Sequence, residues 1–386
     1  MAVSAPLTLG IEEEYQIIDP QTRELTSYVQ QFLNEGRVRG TEIREEFMQS
    51  QVEVGTRICR NIHEARQEIG DLRRMITDIA DSAGLQIAAA GTHPFSHWQN
   101  QVVSEAERYV EFLEKMQHVV RSLLIFGTHV HVGFGEGREQ RELMITVMNQ
   151  ARYFIPHIMA LSTSSPFWMG HNTGLKSYRS IVFKAMPRTG LPMEFRTWSE
   201  YEQFVNTLGD VGALGRNRDG TVDSTRIWWD LRPHSRYNTL EFRICDMTTR
   251  LDEVLCVAAL FQALVAKLIK LRNDNVMWRI YRRDYIRENK WRAIRYGVHG
   301  HFIDFGKSQE VPLADLIEEL IEFLDDVVDE LDCREAVEYA RTIVREGSSA
   351  DRQLAVYNGA IAAGATEKEA LIMVVDHLVA ETRSGL

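Results

Sequence analysis

The spacing of apolar positions along this chain changes several times, and the changes divide it into strands and helices. From Thr8 to Ile17 apolar residues alternate, as side chains on a strand do. Leu9, Ile11, Tyr15 and Ile17 then share one face with Glu13, while Glu12 and Glu14 leave from the other, beside Gly10. Asp19-Pro20-Gln21-Thr22 reads as a turn. Phe47 to Gly55 alternates again, with Gln49, Gln51 and Glu53 opposite Met48, Val52 and Val54. Asn61, followed by Glu64, is a capping-box-like start for a helix reaching about Gly84. Leu85 to Gly91 is a short buried strand ending in the turn Gly91-Thr92-His93-Pro94, and Ser104 with Glu107 opens a helix through Val120. Period two returns from Leu123 to Phe134, and a helix follows from about Arg138 to Leu161, broken or kinked near Pro156.

Residues 162–192 are irregular and long enough for a functional loop. Ser199 and Glu202 cap a helix that stops near Gly209, and Ile227–Leu231 and Thr239–Ile244 read as strands joined by a Pro-containing turn. From Asp252 onward the chain is mainly helical, ending in helices near 313–328, 333–346, 350–363 and 366–382. Strands separated by long helical insertions do not make regular βαβ units. The class is therefore α+β, with an antiparallel or mixed sheet carrying the site and helices behind it. No repeat or long linker marks a boundary, so one catalytic domain over 1–386 is expected, with a helical C-terminal portion from about 310 to 386.

Composition narrows the function. With 386 residues and 44% hydrophobic content, the chain can bury a large core. Its 44 basic and 55 acidic residues give a formal charge of −11 without a basic block, which argues against nucleic acid as a partner. Local arginine clusters still suit an anionic small molecule. Cys59, Cys245, Cys256 and Cys333 form no CxxC pair, and with no secretory signal they read as free thiols in a reducing cytoplasm. The apolar stretch Val254–Ile269, interrupted by Gln262 and Lys267, is short for a membrane span and reads as a core helix, so no membrane partner is expected. The long apolar helices make a homodimer reasonable.

The chemistry sits on the polar faces of the strands. Two like charges at Glu12 and Glu14 repel in a partly dry sheet, and a divalent cation would reverse that problem; a solvated edge strand is the bland alternative. His129, His131 and Gly133 share the face opposite Val130 and Val132, and Glu241 and Arg243 share the face opposite Leu240, Phe242 and Ile244. Singly, each is as well explained by surface histidines or a salt-bridged strand face. Together with Glu53, they place acids, imidazoles and a guanidinium on one face of several strands, which points to an oxygen-rich metal site suited to Mg²⁺ or Mn²⁺. Arg179, the pair Arg232 and Arg236, and Lys290, Arg292 and Arg295 add candidates for holding an anion. There is no P-loop, GxGxxG, GxSxG or HExxH motif. Metals plus arginines still suit phosphoryl transfer, which rests on positioning and charge neutralisation.

The segments Gly10-Ile11-Glu12-Glu13-Glu14-Tyr15, Ala89-Ala90-Gly91-Thr92-His93-Pro94-Phe95, Thr128-His129-Val130-His131-Val132-Gly133, Leu240-Glu241-Phe242-Arg243 and Glu288-Asn289-Lys290-Trp291-Arg292-Ala293 resemble, in order, the glutamate–cysteine ligase type 2 family and its YbdK-type carboxylate–amine ligases. The resemblance implies a glutamine synthetase-like fold: a curved, mainly antiparallel sheet carrying the active site, with helices packed on its other face. It implies ATP and Mg²⁺ or Mn²⁺ as cofactors, and glutamate or a similar carboxylate plus an amine or amino acid as substrates. Metal ligands then map to Glu12, Glu14, Glu53, His129 and Glu241, and nucleotide contacts to His131, Arg243 and Arg236. Arg243 and Arg232 map to the transferred phosphoryl group, and Arg179 and Arg292 to substrate. The implied reaction is amide formation through an acyl phosphate, with weak glutamate–cysteine ligase activity, while residues 162–192 exclude water. A phosphotransferase or a metal-dependent hydrolase on the same scaffold is the alternative. Glu13 needs a structural partner that the sequence does not name.

Overall fold

In the computed structural model, which describes residues 5–39, 43–217, 219–234 and 236–386, the N-terminal alternation forms strand β1 (Leu9–Ile18). Helix α1 (Val29–Arg39), strands β2 (Ile43–Glu45) and β3 (Gln51–Gly55), helix α2 (Ile62–Ser82) and strand β4 (Gln86–Ala88) follow. Short helices α3 (Glu107–Met116) and α4 (His118–Arg121) lead to β5 (Thr128–Gly133) and the helix pair α5 (Arg138–Ala151) and α6 (Ile155–Leu161). The next stretch holds two-residue strands β6 (Phe167–Trp168), β7 (His171–Asn172), β8 (Thr189–Gly190) and β9 (Trp228–Trp229), with α7 (Arg179–Lys184) and α8 (Trp198–Asp210) among them. Strands β10 (Leu231–His234) and β11 (Thr239–Phe242) precede α9 (Leu251–Asn273) and α10 (Arg283–Tyr296). A hairpin of β12 (His301–Asp304) and β13 (Gln309–Pro312) then leads to α11 (Leu313–Val328), α12 (Arg334–Glu346), α13 (Ser349–Ala362) and α14 (Glu367–Thr382).

The main sheet has seven strands in the order β10-β11-β5-β1-β3-β2, with β4 also on β1. Every pairing in it is antiparallel. β5 takes residues 9–13 of β1, and β4 takes residues 16–18 on the same side. Leu9, Ile11, Tyr15 and Ile17 are buried beneath the sheet, where α2 and α9 pack. Phe242 of β11 stacks on Phe261 of α9 with ring centroids 3.9 Å apart. Each such buried side chain contributes about 1.5–3 kcal/mol, which is what holds the strands to one register. Helix α9 is longer than the expected 254–269 stretch. It is long and apolar enough to cross a membrane, yet it is buried between the sheet and α2, α5, α11 and α12. Neither length nor composition makes it a core helix; its packing does.

Glu13 shares the apolar face of β1 and is fully buried. Its partner is Arg73 of α2, also fully buried, which donates from Nη2 at 2.5 Å and from Nε at 3.2 Å. The Tyr15 hydroxyl also donates to Glu13, and Arg73 Nη1 donates to the Thr249 carbonyl at 2.8 Å. His93 is likewise structural. Its Nδ1 accepts the N–H groups of Phe95 and Ser96, and its Nε2 faces the Arg23 carbonyl at 2.9 Å.

Several boundaries differ from expectation for local reasons. Asn61 caps α2 as its spacing predicts, accepting the Glu64 N–H at 2.9 Å. Ser104 caps nothing: its hydroxyl donates to the Glu46 carbonyl at 2.5 Å, and α3 starts at Glu107. Thr197 rather than Ser199 caps α8, accepting the Glu200 N–H at 3.1 Å. The strand expected from Phe47 starts only at Gln51, because the chain turns there and the Gln51 N–H donates to the Met48 carbonyl at 3.1 Å. Pro233 lies inside β10 rather than in the following turn, which an edge strand tolerates. The expected loop 162–192 contains α7. Its first residues are fastened to the C-terminal helices: Thr163 to Ser348 at 2.8 Å, and Ser164 to Ser349 at 2.9 Å. Gln353 donates to the Ser164 carbonyl at 3.1 Å. All four cysteines are buried free thiols.

Candidate active site

The register of the sheet lines up the polar residues on the face away from α9. Arg232 of β10 is paired with Glu241 of β11, Glu241 with His131 of β5, and His131 with Gly10 of β1. One step along, His129 is paired with Glu12, and Glu12 with Gly55 of β3. Glu14 is paired with Glu53, and Glu53 with Arg44 of β2. Strand alternation thus brings together Glu12, Glu14, Glu53, His129, His131, Arg232 and Glu241 from five strands, and Arg243 joins them just past β11.

Among the described residues two groups of donors emerge. Glu12, His131 and Glu241 each offer one ligand atom within 4.8 Å of the others, and so do Glu14, Glu46 and Glu53. His131 Nδ1 is engaged by the Thr239 hydroxyl at 2.9 Å. Its Nε2 is buried without a hydrogen-bond partner among the described residues, 3.7 Å from Glu12 and 3.8 Å from Glu241. An orphaned imidazole nitrogen between two carboxylates, beside a second cluster of three carboxylates, is a donor set that fits divalent cations. The resemblance gave His129 the ligand role and His131 the nucleotide. Here His131 shares the cluster, while His129 reaches Glu12 at 3.4 Å.

Charge balance differs between the two groups. Burial pushes Glu14 up to about 7, against the pull of Arg179. Burial, then the charges of Glu12 and Glu46, push Glu53 well above the usual carboxylate range, and burial with the Glu14 charge raises Glu46. In the other group burial also opposes ionisation, but the neighbouring imidazoles of His129 and His131 hold Glu12 well below that range. Arg232 and Arg243 do the same for Glu241 against its burial. Burial, followed by the Arg243 charge, lowers His129 to about 4, so it stays neutral and free to donate a lone pair.

The arginines have separate duties. Arg232 donates to Glu241 from Nε at 2.9 Å and Nη2 at 2.6 Å, and from Nη1 to the Ile227 carbonyl at 2.8 Å, so it fixes Glu241. Arg243 pairs with the other oxygen of Glu241. Arg44 bridges Glu12 at 2.9 Å and Glu53 at 3.2 Å. Arg179, the first residue of α7, is buried with its guanidinium against the carbonyls of Ile244 and Arg243, at 3.3 and 3.4 Å. A Cβ on Gly127 would collide with that guanidinium, so the approach needs glycine there.

Two cavities meet at this point. One, of about 340 Å³, is lined by Glu12, Glu14, Glu46, Glu53 and His129 with aromatic rings around them. The other, of about 540 Å³, lies between α7, α10 and the end of β11. Arg179, Phe183 and Arg243 line both and form the wall between them.

Two expected residues are not brought to the cluster. Arg292 donates to the His301 carbonyl at 2.8 Å and to Glu310 at 2.7 Å, on the outer side of α10. Lys290, two residues and about 200° of helix earlier, lines the larger cavity instead. Arg236 lies beyond the end of β10, exposed and stacked over the Tyr237 ring at 5.5 Å, where strand alternation no longer aims it. Conversely, sequence reasoning missed Arg44, Glu46 and His234. His234 follows Arg232 by two, so the same alternation pointed to it; its ring lies 5.6 Å from that of His131.

The pattern of glutamate–cysteine ligase family 2 matches residues 8–377. A relative from Herpetosiphon aurantiacus, provisionally named glutamate–cysteine ligase 2, is 49% identical over 99% of this chain and 94% of its own. One from Roseiflexus castenholzii with the same provisional name is 50% identical over 99% and 96%. Among solved structures, a glutamate–cysteine ligase from Francisella tularensis in complex with AMP superposes with a TM-score of 0.67 at 13% identity, covering 99% of this chain and 90% of that one. That likeness shows the expected glutamine synthetase-like fold. The chain belongs to glutamate–cysteine ligase family 2 and is, as such, an ATP-dependent ligase that forms carbon–nitrogen bonds.

Proposed function

We propose that the enzyme joins the γ-carboxylate of glutamate to an amine through an acyl phosphate, with cysteine a weak acceptor. The observation that carries this is the pair of donor clusters on one sheet face, edged by Arg179 and Arg243. Glu12, Glu241 and a histidine, His131 with His129 beside it, would hold one Mg²⁺ or Mn²⁺, and Glu14, Glu46 and Glu53 another. Bound metal supplies charge neutralisation for the triphosphate of ATP. Arg243 offsets charge on the transferred group, and Arg179 holds the donor carboxylate beside it. Arg232 acts through Glu241, which it orients, rather than by touching phosphate. The segment carrying α7 walls the site and keeps water from the acyl phosphate.

The second cavity favours a ligase over a phosphotransferase or a hydrolase, because only a ligase brings a third substrate to the same wall. ADP release, measured with ATP, Mg²⁺ and glutamate across amino acids and simple amines, tests this. Acceptor-dependent ADP formation is expected. Turnover without nucleotide, or no ADP with any acceptor, would overturn the proposal.

A further inference from the structure

The larger cavity contains no member of either donor cluster. Asp230 is its deepest carboxylate among the described residues, at 4% exposure, whereas Asp284 and Glu288 stand at an exposed mouth. Both Asp230 oxygens receive the same cation, Lys290 Nζ, at 2.8 and 2.7 Å. The backbone around Asp230 is pinned: its N–H donates to the Gly190 carbonyl, and its carbonyl accepts the Arg243 N–H, both at 2.9 Å. Asp230 is therefore registered against Arg243, a residue that also lines the metal-cluster cavity. Toward the mouth, Arg283, Arg287 and Lys184 outnumber Asp284 and Glu288, so the entrance favours an anionic group.

We propose that this cavity receives the acceptor of the ligase reaction, that the acceptor is dipolar, with an ammonium and an anionic group, and that Asp230 takes the proton that makes its nitrogen nucleophilic. The inference rests on the acyl-phosphate reaction proposed above. The acceptor's ammonium displaces Lys290 as the partner of Asp230 and gives it one proton. The freed lone pair attacks the acyl carbon, a carbon–nitrogen bond forms, and the bond from that carbon to the phosphate oxygen breaks with its electron pair. The departing phosphate takes the second nitrogen proton, leaving the amide. The acceptor's anionic group faces Arg283 and Arg287.

A purely structural role, with the ion pair fastening α10 to the sheet, predicts different kinetics. Hydroxylamine separates the two, because it is largely unprotonated at neutral pH and needs neither a base nor an anionic anchor to trap an acyl phosphate. Wild type and Asp230→Asn are given ATP, Mg²⁺ and glutamate, with hydroxylamine or with each standard amino acid. Amide formation is expected to fall at least about a hundredfold in Asp230→Asn, the usual scale of a lost general base. Hydroxamate formation should stay within about threefold, and Asp230→Glu should recover part of the amide rate. Lys290→Gln, which keeps Asp230 and removes its competitor, should lower the acceptor KM several-fold and leave the glutamate KM unchanged. Parallel loss of hydroxamate and amide in Asp230→Asn, with an unchanged acceptor KM in Lys290→Gln, would overturn the proposal. So would an undiminished amide rate in Asp230→Asn. Absence of hydroxamate in the wild type would instead remove the acyl-phosphate reaction, and this assignment with it.

Discussion

Replacing Glu13 with Gln tests how β1 divides its three adjacent glutamates. The substitution preserves volume and removes one charge, leaving the Arg73 guanidinium fully buried with the Thr249 carbonyl, the Tyr15 hydroxyl and a neutral amide. Removing one partner of a buried pair costs about 3–5 kcal/mol, because the remaining charge is uncompensated. Unfolding entropy of about 2.1 cal/mol/K per residue gives roughly 0.8 kcal/mol/K for the whole chain, so Tm should fall by about 4–6 °C, as read by calorimetry or circular dichroism. Adding Arg73→Met should restore most of the loss, since the two positions touch and their effects are not additive. Glu12→Gln, on the other face, breaks a contact to Arg44, whose side chain is 33% exposed. Exposed pairs contribute about 0–1 kcal/mol, so that variant should lose turnover with Tm nearly unchanged. A Glu13→Gln enzyme whose Tm stays within about 1 °C of wild type, or one that loses its response to Mg²⁺ at unchanged Tm, would refute the division.

Glu14→Gln keeps an acceptor for the Gly127 N–H, 2.6 Å away in the wild type, and removes one charge from the carboxylate cluster. ADP formation should fall at least about a hundredfold while thermal stability does not fall. Mg²⁺ at about a hundred times its Kd should stabilise the wild type by about 2.7 kcal/mol, and EDTA should reverse the Tm rise; a rise of equal size in Glu14→Gln would count against the cluster. Arg179→Ala should raise the glutamate KM at least tenfold, by an estimate of about 1.4 kcal/mol or more for a lost charged hydrogen bond, whereas Arg292→Ala should leave it unchanged; the reverse pattern in steady-state kinetics would restore Arg292 to the site. Burial lowers His93 from 6.5 to about 3, so the unfolded chain takes up the proton first. Stability from this residue is therefore complete above pH 6.5 and falls by about 1.4 kcal/mol per pH unit as pH drops toward 3; urea titrations at pH 7 and pH 5 should show a steeper loss for wild type than for His93→Gln.

Much of the site was legible because it lies on strands, where a period of two settles which side chains share a face. Glu12 against Glu13, His129 with His131, and Glu241 with Arg243 all follow from that alternation. Glu46 was not legible: it stands between β2 and β3, where the chain turns and no period applies, and it is fixed there by contacts from residues such as Ser104 and Tyr109. Arg44 sits in a three-residue strand, too short to show a pattern. On α10 the motif was visible but its phase was not. Ile286, Asn289 and Ala293 are the buried stripe that orients the helix, and they turn Lys290 inward and Arg292 outward. Helix α1 leaves little trace in the sequence because it buries little besides Val29 and Phe32 and contains Gly36.

The serine contacts under the segment that precedes Arg179 bear on when the site comes into being. Every residue of the two donor clusters lies before position 242 and would leave the ribosome early. The support beneath Arg179 does not. Ser164 rests on Ser349 and Gln353, and the backbone of Ala89, beside the sheet, is met by Thr382 at 2.9 Å. A nascent or truncated chain ending before residue 349 would thus carry both donor clusters and still lack the floor beneath Arg179. The placement of Arg179 thus depends on residues far along the chain from the segment that carries the two clusters.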